Sequence, residues 1–435
     1  MISNGMNRVL FIILGDFFSF LIAFISLIFI RFDSSLYSWA FSTHALPFLI
    51  LYVFWVNIFY IFGLYDLISI KPTIPFLKRW FFALFTSFVV GLMFFYFVPM
   101  FGISPKVNLF IQVGLFGLFS FIFRRIIYSL FAKTFTKNTI LIGESKYLKE
   151  LETLIDINPQ TGLSKKISLS SKVEDLKDDL LIDGTIIIID NKKDVGEKFL
   201  LDLHNRNIEV MDTATAYEKY LYKIPVEYIN TEFITNNINI KKDILYYIFS
   251  RILDIVFSLI LLIVLSPVLI ICGLLIYLED KGPIFYTQTR VGLNGKIFKL
   301  YKLRSMSINA ERDGVKWSTG KDDPRITRIG NITRRLHIDE IPQMINILKG
   351  DITLVGPRPE RPEFVEKLEK EIPHYNMRHT ITPGFTGWAQ IKYHYAKTID
   401  ESKEKFEYDL YYIKNRNIFI DIGIILRTII IIFTH

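Results

Sequence analysis

Four apolar runs in the first 130 positions constrain this chain most: Val9 to Ile30, Leu46 to Leu64, Trp80 to Val98 and Val107 to Phe123. Each approaches the ~20 residues a helix needs to cross the hydrocarbon of a bilayer. In hydrocarbon only segments that satisfy their own backbone donors and acceptors survive, which selects helices here. A composition of 51% hydrophobic and 15% aromatic residues, with 39 Phe, exceeds what an ordinary soluble chain buries, and 435 residues allow more than one domain. Arg8 precedes the first run and no small-residue cleavage site follows it, so that run is expected to be a retained anchor.

Orientation follows from the basic residues beside the runs. Arg8 lies before the first and Arg31 after it; Lys71, Lys78 and Arg79 precede the third, Lys106 the fourth, and Arg124, Arg125, Lys133 and Lys137 follow the fourth. Counted over these flanks, the positive-inside tendency places both ends of the four-span block in the cytoplasm. Cys272 is the single cysteine, inside an apolar run, which suits a reducing compartment and a small packing residue. The net charge of +8 forms no single-sign tail, and no nucleic-acid motif is present. Anionic lipid and phosphate substrates account for it better than DNA or RNA.

Between about Asn138 and Ile240 short apolar strands alternate with polar helical stretches: Thr139 to Ile142, Tyr147 to Ile157, Thr185 to Asp190, Val195 to Asn205, Ile208 to Met211. This βαβ rhythm predicts a small parallel sheet. Its first strand runs into Gly143-Glu144-Ser145-Lys146, where a dinucleotide fold carries several glycines and this chain has one. Nucleotide binding and a structural or regulatory role both stay open for the module.

A fifth apolar run, Ile252 to Leu278, is long enough to span, but Ser266-Pro267 interrupts it. A full crossing would carry Arg290, Lys296, Lys299, Lys302 and Arg304 outside, against the charge rule. Proline removes a donor and clashes with the preceding turn, so a re-entrant bend is expected instead. Asn294-Gly295 predicts a type I′ hairpin turn between Phe285 to Val291 and Lys296 to Leu303. The last run, Ile418 to Phe433, carries Asp421 and Arg427 and reads as an interfacial helix.

The chemistry concentrates in Leu336-His337-Ile338-Asp339-Glu340-Ile341-Pro342-Gln343 and in Val355-Gly356-Pro357-Arg358-Pro359-Glu360. Two adjacent carboxylates, a helix start and an arginine suit the handling of phosphate, with Asp339 expected as the helix N-cap. These blocks stand in order with Ser266-Pro267, with Arg290-Val291-Gly292 leading to Tyr301-Lys302-Leu303-Arg304-Ser305-Met306, and with Thr382-Pro383-Gly384-Phe385-Thr386-Gly387-Trp388-Ala389-Gln390. From about Arg251 to its C-terminus the chain thereby resembles the bacterial sugar transferases, the polyprenyl-phosphate phosphoglycosyl transferases. His337-Ile338 departs from the hydroxyl residue and Leu more usual there, leaving both carboxylates in place.

The resemblance implies a membrane protein of mixed class: four transmembrane helices over 1–130, a Rossmann-like cytosolic module over 138–240, and an α-rich monotopic catalytic domain over 241–435 with a re-entrant helix at 252–278. It implies that Asp339 attacks the sugar-bearing phosphorus of a UDP-sugar, releasing UMP, and that polyprenyl phosphate then takes the phosphosugar, beginning an exopolysaccharide, capsule or O-antigen. Glu340 would assist proton handling and, with Asp339, hold Mg²⁺. Arg358, Lys302, Arg304 and Arg290 would bind phosphate, and Ser266 and Pro267 would shape the re-entrant helix. The implied setting is the bacterial inner membrane with catalysis on the cytoplasmic face, amid membrane lipids, a homodimer being left open. A nucleotide-sensing regulator with an inactive transferase part is the alternative. A transporter is disfavoured because Asp16 is the one clear ionisable residue within the spans, and a zinc hydrolase because the seven His are scattered.

Overall fold

The computed structural model describes residues 5–98, 106–133, 136–169, 180–190, 196–229, 244–308, 310, 323–393 and 398–434. The chain divides into two units, Met1–Tyr220 and Leu221–His435.

The first unit begins with α1 (Gly5–Arg31), α2 (Tyr37–Ile61), α3 (Ile74–Phe97) and α4 (Lys106–Lys133). All four are long and apolar enough to cross a membrane. Their interior is aromatic: Phe20, Phe48, Trp55, Phe59 and Phe116 are buried together, while Phe18, Ile22, Phe81, Phe85 and Phe110 face outward. Outward apolar faces of this extent suit lipid as solvent. Two residues counted from the sequence as flanking charges sit elsewhere. Arg124 lies inside α4, buried and ion-paired with Asp16 of α1, and its Nη1 donates to Leu64 O at 2.6 Å. A charge at that depth is tolerable only when paired, so each side chain explains the other. Arg8 is fully buried, its guanidinium 4.8 Å from the Phe131 ring centre and its Nη1 donating to Gln160 O at 3.1 Å. It ties α1 to the layer that follows.

That layer is a parallel sheet of β1 (Lys137–Ile142), β2 (Leu163–Leu169), β3 (Ile186–Ile189) and β4 (Glu209–Asp212), in the order β2-β1-β3-β4, with α5 (Lys146–Ile157), α6 (Glu197–Asn205) and α7 (Thr213–Leu221) between and after the strands. The edge strand β2, Leu-Ser-Lys-Lys-Ile-Ser-Leu, escaped the sequence reading because its lysines hide the apolar alternation. The chain reverses direction across the sheet between β1 and β3, the crevice where such folds receive ligands. Here Asp190 fills it. Its carboxylate accepts from Ser145 N at 2.9 Å, Ser145 Oγ at 2.5 Å and Thr213 Oγ1 at 3.0 Å. Gly143, at φ 131°, leaves the room: a Cβ there would overlap the Asp190 side chain.

The second unit begins at Leu221. Residues 221–229, expected from the sequence in the middle module, pack within it: Ile224 N donates to Glu407 O at 3.0 Å and Lys223 Nζ reaches Glu404 at 2.8 Å. The expected boundary at 240–241 lies outside the described residues. The fifth apolar run is α8 (Ile244–Asp280), a single helix containing Pro267, long and apolar enough to cross a membrane. At one end Arg251 donates to Ile347 O at 2.6 Å and to Leu348 O at 2.7 Å. At the other, Asp280 pairs with Arg304, and Glu279 accepts from Arg328 N at 2.9 Å. Ser266 Oγ turns back to Ile263 O at 2.7 Å, as hydroxyl residues do where a helix is prone to bend.

An antiparallel hairpin follows, β5 (Phe285–Val291) with β6 (Ile297–Leu303), closed through Asn294 at φ 53° and Gly295 at φ 76°, both left-handed as the dipeptide predicts. After it come α9 (Arg328–Arg335), α10 (Gln343–Lys349), β7 (Thr353–Val355), α11 (Pro362–Glu371), β8 (Gly384–Thr386), α12 (Trp388–Lys392), α13 (Ile399–Asn415) and α14 (Ile418–Thr434). Leu300, Met344, Ile347, Leu354, Tyr412 and Ile424 form one core joining the hairpin to the helices. In α14, Asp421 is buried, accepting from Tyr412 OH at 2.7 Å and Tyr246 OH at 2.8 Å, while Phe419 stays exposed.

Candidate active site

Asp339 and Glu340 stand in a tight turn and not at a helix cap. After α9, Leu336 leads to His337 at φ 53°, a left-handed conformation that reverses the chain into the single 3₁₀ turn Ile338–Glu340. Asp339 caps nothing; Pro342 occupies the start of α10, a helix of 7 residues. The expectation fails because Ile338 to Ile341 form their own turn before the helix begins. Ile338 is anchored in an apolar cluster with Val268, Leu269, Cys272 and Ile276 of α8 and Leu303 of β6. The two carboxylates therefore sit beside the apolar helix.

Two elements converge on Glu340. Lys302, next to last in β6, donates to Glu340 Oε1 at 2.7 Å, and Arg358 donates to the same oxygen at 2.7 Å. Arg358 stands on the loop after β7, between two prolines that fix its approach. The loop rests on the Thr382–Gly387 motif: Gly356 N donates to Thr386 O at 2.8 Å and Gly384 N to Pro357 O at 2.9 Å. Gly356 and Gly384 meet backbone to backbone, and a Cβ on Gly384 would overlap Gly356 N. Two motifs read separately in the sequence are one structure.

The carboxylates are held in opposite electrostatic states. Burial would raise Glu340, but Arg358 and Lys302 outweigh it and hold its carboxyl well below the usual carboxylate range. Asp339 is buried at 6% exposure, and among the described residues no hydrogen bond reaches its carboxylate. Burial first, and the Glu340 charge second, push its carboxyl up to about 6, with Lys302, Arg334 and Arg358 opposing. Lys302 is lowered by burial against the pull of Glu340. The pair thus offers one pinned anion that organises two cations and one unpaired carboxylate. An unpaired carboxylate near its own pKa keeps the lone pairs a nucleophile needs.

The other residues singled out from sequence lie apart. Arg304 is buried on α8, paired with Asp280 and donating to Ile276 O at 3.4 Å, so it closes the helix end and does not join the Glu340 cluster. Arg290 donates to Pro359 O at 3.0 Å and lies 3.7 Å from Glu360. Ser266 and Pro267 are within α8. Arg334, near enough to lower Asp339, was missed; it ends α9 in an Arg-Arg pair whose spacing resembles a solvated helix end. Among the described residues no group of three metal-ligating side chains forms. Mg²⁺ commonly takes one or two carboxylates together with substrate phosphates. Both cations use Oε1 of Glu340, so Oε2 and the Asp339 carboxylate are the oxygens that fit that mode.

Known proteins resemble the same region. A family model described as bacterial sugar transferase matches residues 245–435. A Bacillus subtilis (strain 168) protein named putative undecaprenyl-phosphate N-acetylgalactosaminyl 1-phosphate transferase is 52% identical over 138 residues, 32% of this chain and 76% of that protein. The UDP-N-acetylgalactosamine-undecaprenyl-phosphate N-acetylgalactosaminephosphotransferase of Aeromonas hydrophila is 40% identical over 190 residues, 44% of this chain and 45% of that one. The UDP-glucose:undecaprenyl-phosphate glucose-1-phosphate transferase of Escherichia coli (strain K12) is 39% identical over 158 residues, 36% and 34% of the two chains. The match thus spans less than half the length of the last two. The matched region holds the whole Lys302, Asp339, Glu340 and Arg358 cluster, and the chain belongs to the bacterial sugar transferase family.

Proposed function

We propose that the chain transfers a phosphosugar from a UDP-sugar to polyprenyl phosphate, undecaprenyl phosphate by the names of its relatives, through a covalent intermediate on Asp339. The observation that carries this is the asymmetry of the pair: Asp339 unpaired and raised, Glu340 pinned by Lys302 and Arg358. The Asp339 carboxylate attacks the sugar-bearing phosphorus, the bond to UMP breaks, and UMP leaves with the electron pair. An oxygen of polyprenyl phosphate then attacks the same phosphorus and releases the carboxylate. Lys302, Arg358 and Arg334 offset charge as it builds on the phosphate oxygens. Glu340, held well below the carboxylate range, serves better as the organiser of these cations than as a proton acceptor. Asp339 and Glu340 Oε2 would hold Mg²⁺ when it is bound, where it would offset the diphosphate charge.

Donor alone tests this. Wild-type protein should release one UMP per active chain and keep the phosphosugar; release of UDP would end the proposal. The rate of that first UMP should fall as pH drops through about 6, because protonation removes the negative charge that makes the Asp339 carboxylate a nucleophile. A rate flat from pH 5 to 8 would remove Asp339 from the step.

The membrane reading supports this chemistry. Both ends of α8 are anchored to one body, through Arg251 at the start and Asp280 at the end. A straight crossing would carry that body's charged strand, with Lys299 and Lys302, into hydrocarbon. We take α8 to enter and leave on the cytoplasmic face of the bacterial inner membrane, bending near Pro267, with the four N-terminal helices as spans. In a Cys272→Ser background, cysteines placed near Arg251 and near Asp280, with both anchoring side chains kept, should both resist an impermeant thiol reagent outside intact cells. Labelling near Asp280 from outside would overturn the same-side path.

A further inference from the structure

The loop that presents Arg358 is gripped from behind, carbonyl by carbonyl. Arg378 Nη2 donates to Arg358 O at 2.9 Å, Arg290 Nη1 to Pro359 O at 3.0 Å, and Val291 N to Glu360 O at 3.0 Å. Three successive carbonyls are thereby fixed between prolines that already restrict the backbone. Arg378 is itself over-determined: it is 3% exposed, donates to Tyr375 OH at 2.5 Å, and pairs with Asp409 at 3.0 Å. Lys405, 3.1 Å from Glu360, closes the far side of a cavity of about 100 Å³ that Arg378, Tyr375 and Asp409 also line. A cavity of that size and polarity has room for water.

We infer that Arg378, oriented by Asp409 and Tyr375, is a positioning residue for the transfer reaction: it sets the backbone of Arg358 so that the Arg358 guanidinium meets Glu340 and the substrate phosphate. Arg290 performs the same task one residue on, which replaces the substrate-binding role expected of it from sequence. The inference rests on the transferase reading of the Asp339 and Glu340 pair. Its physical basis is the guanidinium fork. Two nitrogens in fixed geometry reach a hydroxyl, a carboxylate and a carbonyl together, and a lysine ammonium in the same space cannot. Loss of this hold removes the Arg378 hydrogen bond to Arg358 O, and a drift of a fraction of an ångström there is enough to misplace a phosphate-binding group.

A double-mutant cycle on the full-length, membrane-embedded protein tests it, with UMP release from a UDP-sugar as the measurement. Arg378→Met should lower kcat/KM by ~30-fold in the otherwise native protein, yet by no more than ~3-fold when Arg358 is already Ala, because its effect passes through Arg358. Arg378→Lys, which keeps a charge opposite Asp409, should recover part of the loss. If Arg378→Met fails to fold, the cycle is run with Arg378→Lys, with ~10-fold expected alone and little beside Arg358→Ala. Losses that multiply, or a folded Arg378→Met with native activity, overturn the inference. An inactive native protein, or one that releases UDP, would defeat the transferase reading instead.

Discussion

Replacing Asp339 by Asn should abolish transfer, by more than ~10³-fold, while leaving the protein at least as stable at neutral pH. The amide keeps the size of the carboxyl in its buried turn but cannot form an acyl phosphate. The stability half of this result follows from linkage. Asp339 is raised to about 6 in the folded protein from an ordinary value of 3.8, so its contribution is most favourable below the unfolded value and is lost as pH rises through about 6. At pH 7 the ionised side chain costs about 1–3 kcal/mol that the neutral amide avoids. Thermal unfolding of both proteins at pH 5 and 7.5 should show the variant's gain over native growing with pH, larger at 7.5 than at 5. A variant that turns over at a tenth of the native rate would exclude Asp339 as nucleophile.

Glu340→Gln should be nearly as damaging to transfer, ~10²-fold or more, and unlike Asp339→Asn it should destabilise the fold. Glu340 is the shared counter-charge of Lys302 and Arg358, each 2.7 Å away, and its loss leaves two cations facing each other across a buried turn. Breaking a buried pair in this way typically costs ~3 kcal/mol. The carboxyl lies well below its ordinary value in the folded state, so its stabilisation is present above the unfolded value and is lost as pH falls through the folded one. At pH 7 the native protein has all of it and the Gln variant none. Lys302, already lowered by burial, loses the partner that supports its charge, so the alkaline fall in activity should move to lower pH. Activity profiles against pH, beside unfolding curves, read both effects; unchanged stability would mean that Glu340 does not hold the cluster together.

The sequence exposed what depends on length and on ordered motifs. The four N-terminal helices, the α8 run, the Asn294-Gly295 turn and the parallel βαβ layer were all legible, because hydrophobic period and turn chemistry are local. The residues of the Asp339 cluster were legible through motif order. Their geometry was not: the left-handed His337 and the 3₁₀ turn come from Ile338 packing against α8, a contact about 66 positions away in sequence. The roles of Arg304, Arg290 and Arg124 were equally hidden. A basic residue in a string says nothing of whether it faces a substrate, a helix end or a carboxylate on a neighbouring apolar helix, and each of these three found a carboxylate or carbonyl partner that only folding supplies.

The sheet of the first unit keeps its own anion. Asp190 occupies the N–H and two hydroxyls that a phosphate would seek at the crevice beside α5, and it does so from within the same chain. A tethered group of this kind acts at an effective concentration far above that of any dissolved metabolite. A free nucleotide arriving there would compete against a resident that never diffuses away, and would meet its negative charge before reaching the donors behind it. The crevice is in this respect a lock closed by its own key: the donors that would suit a travelling phosphate instead fasten the third strand to the helix after the first.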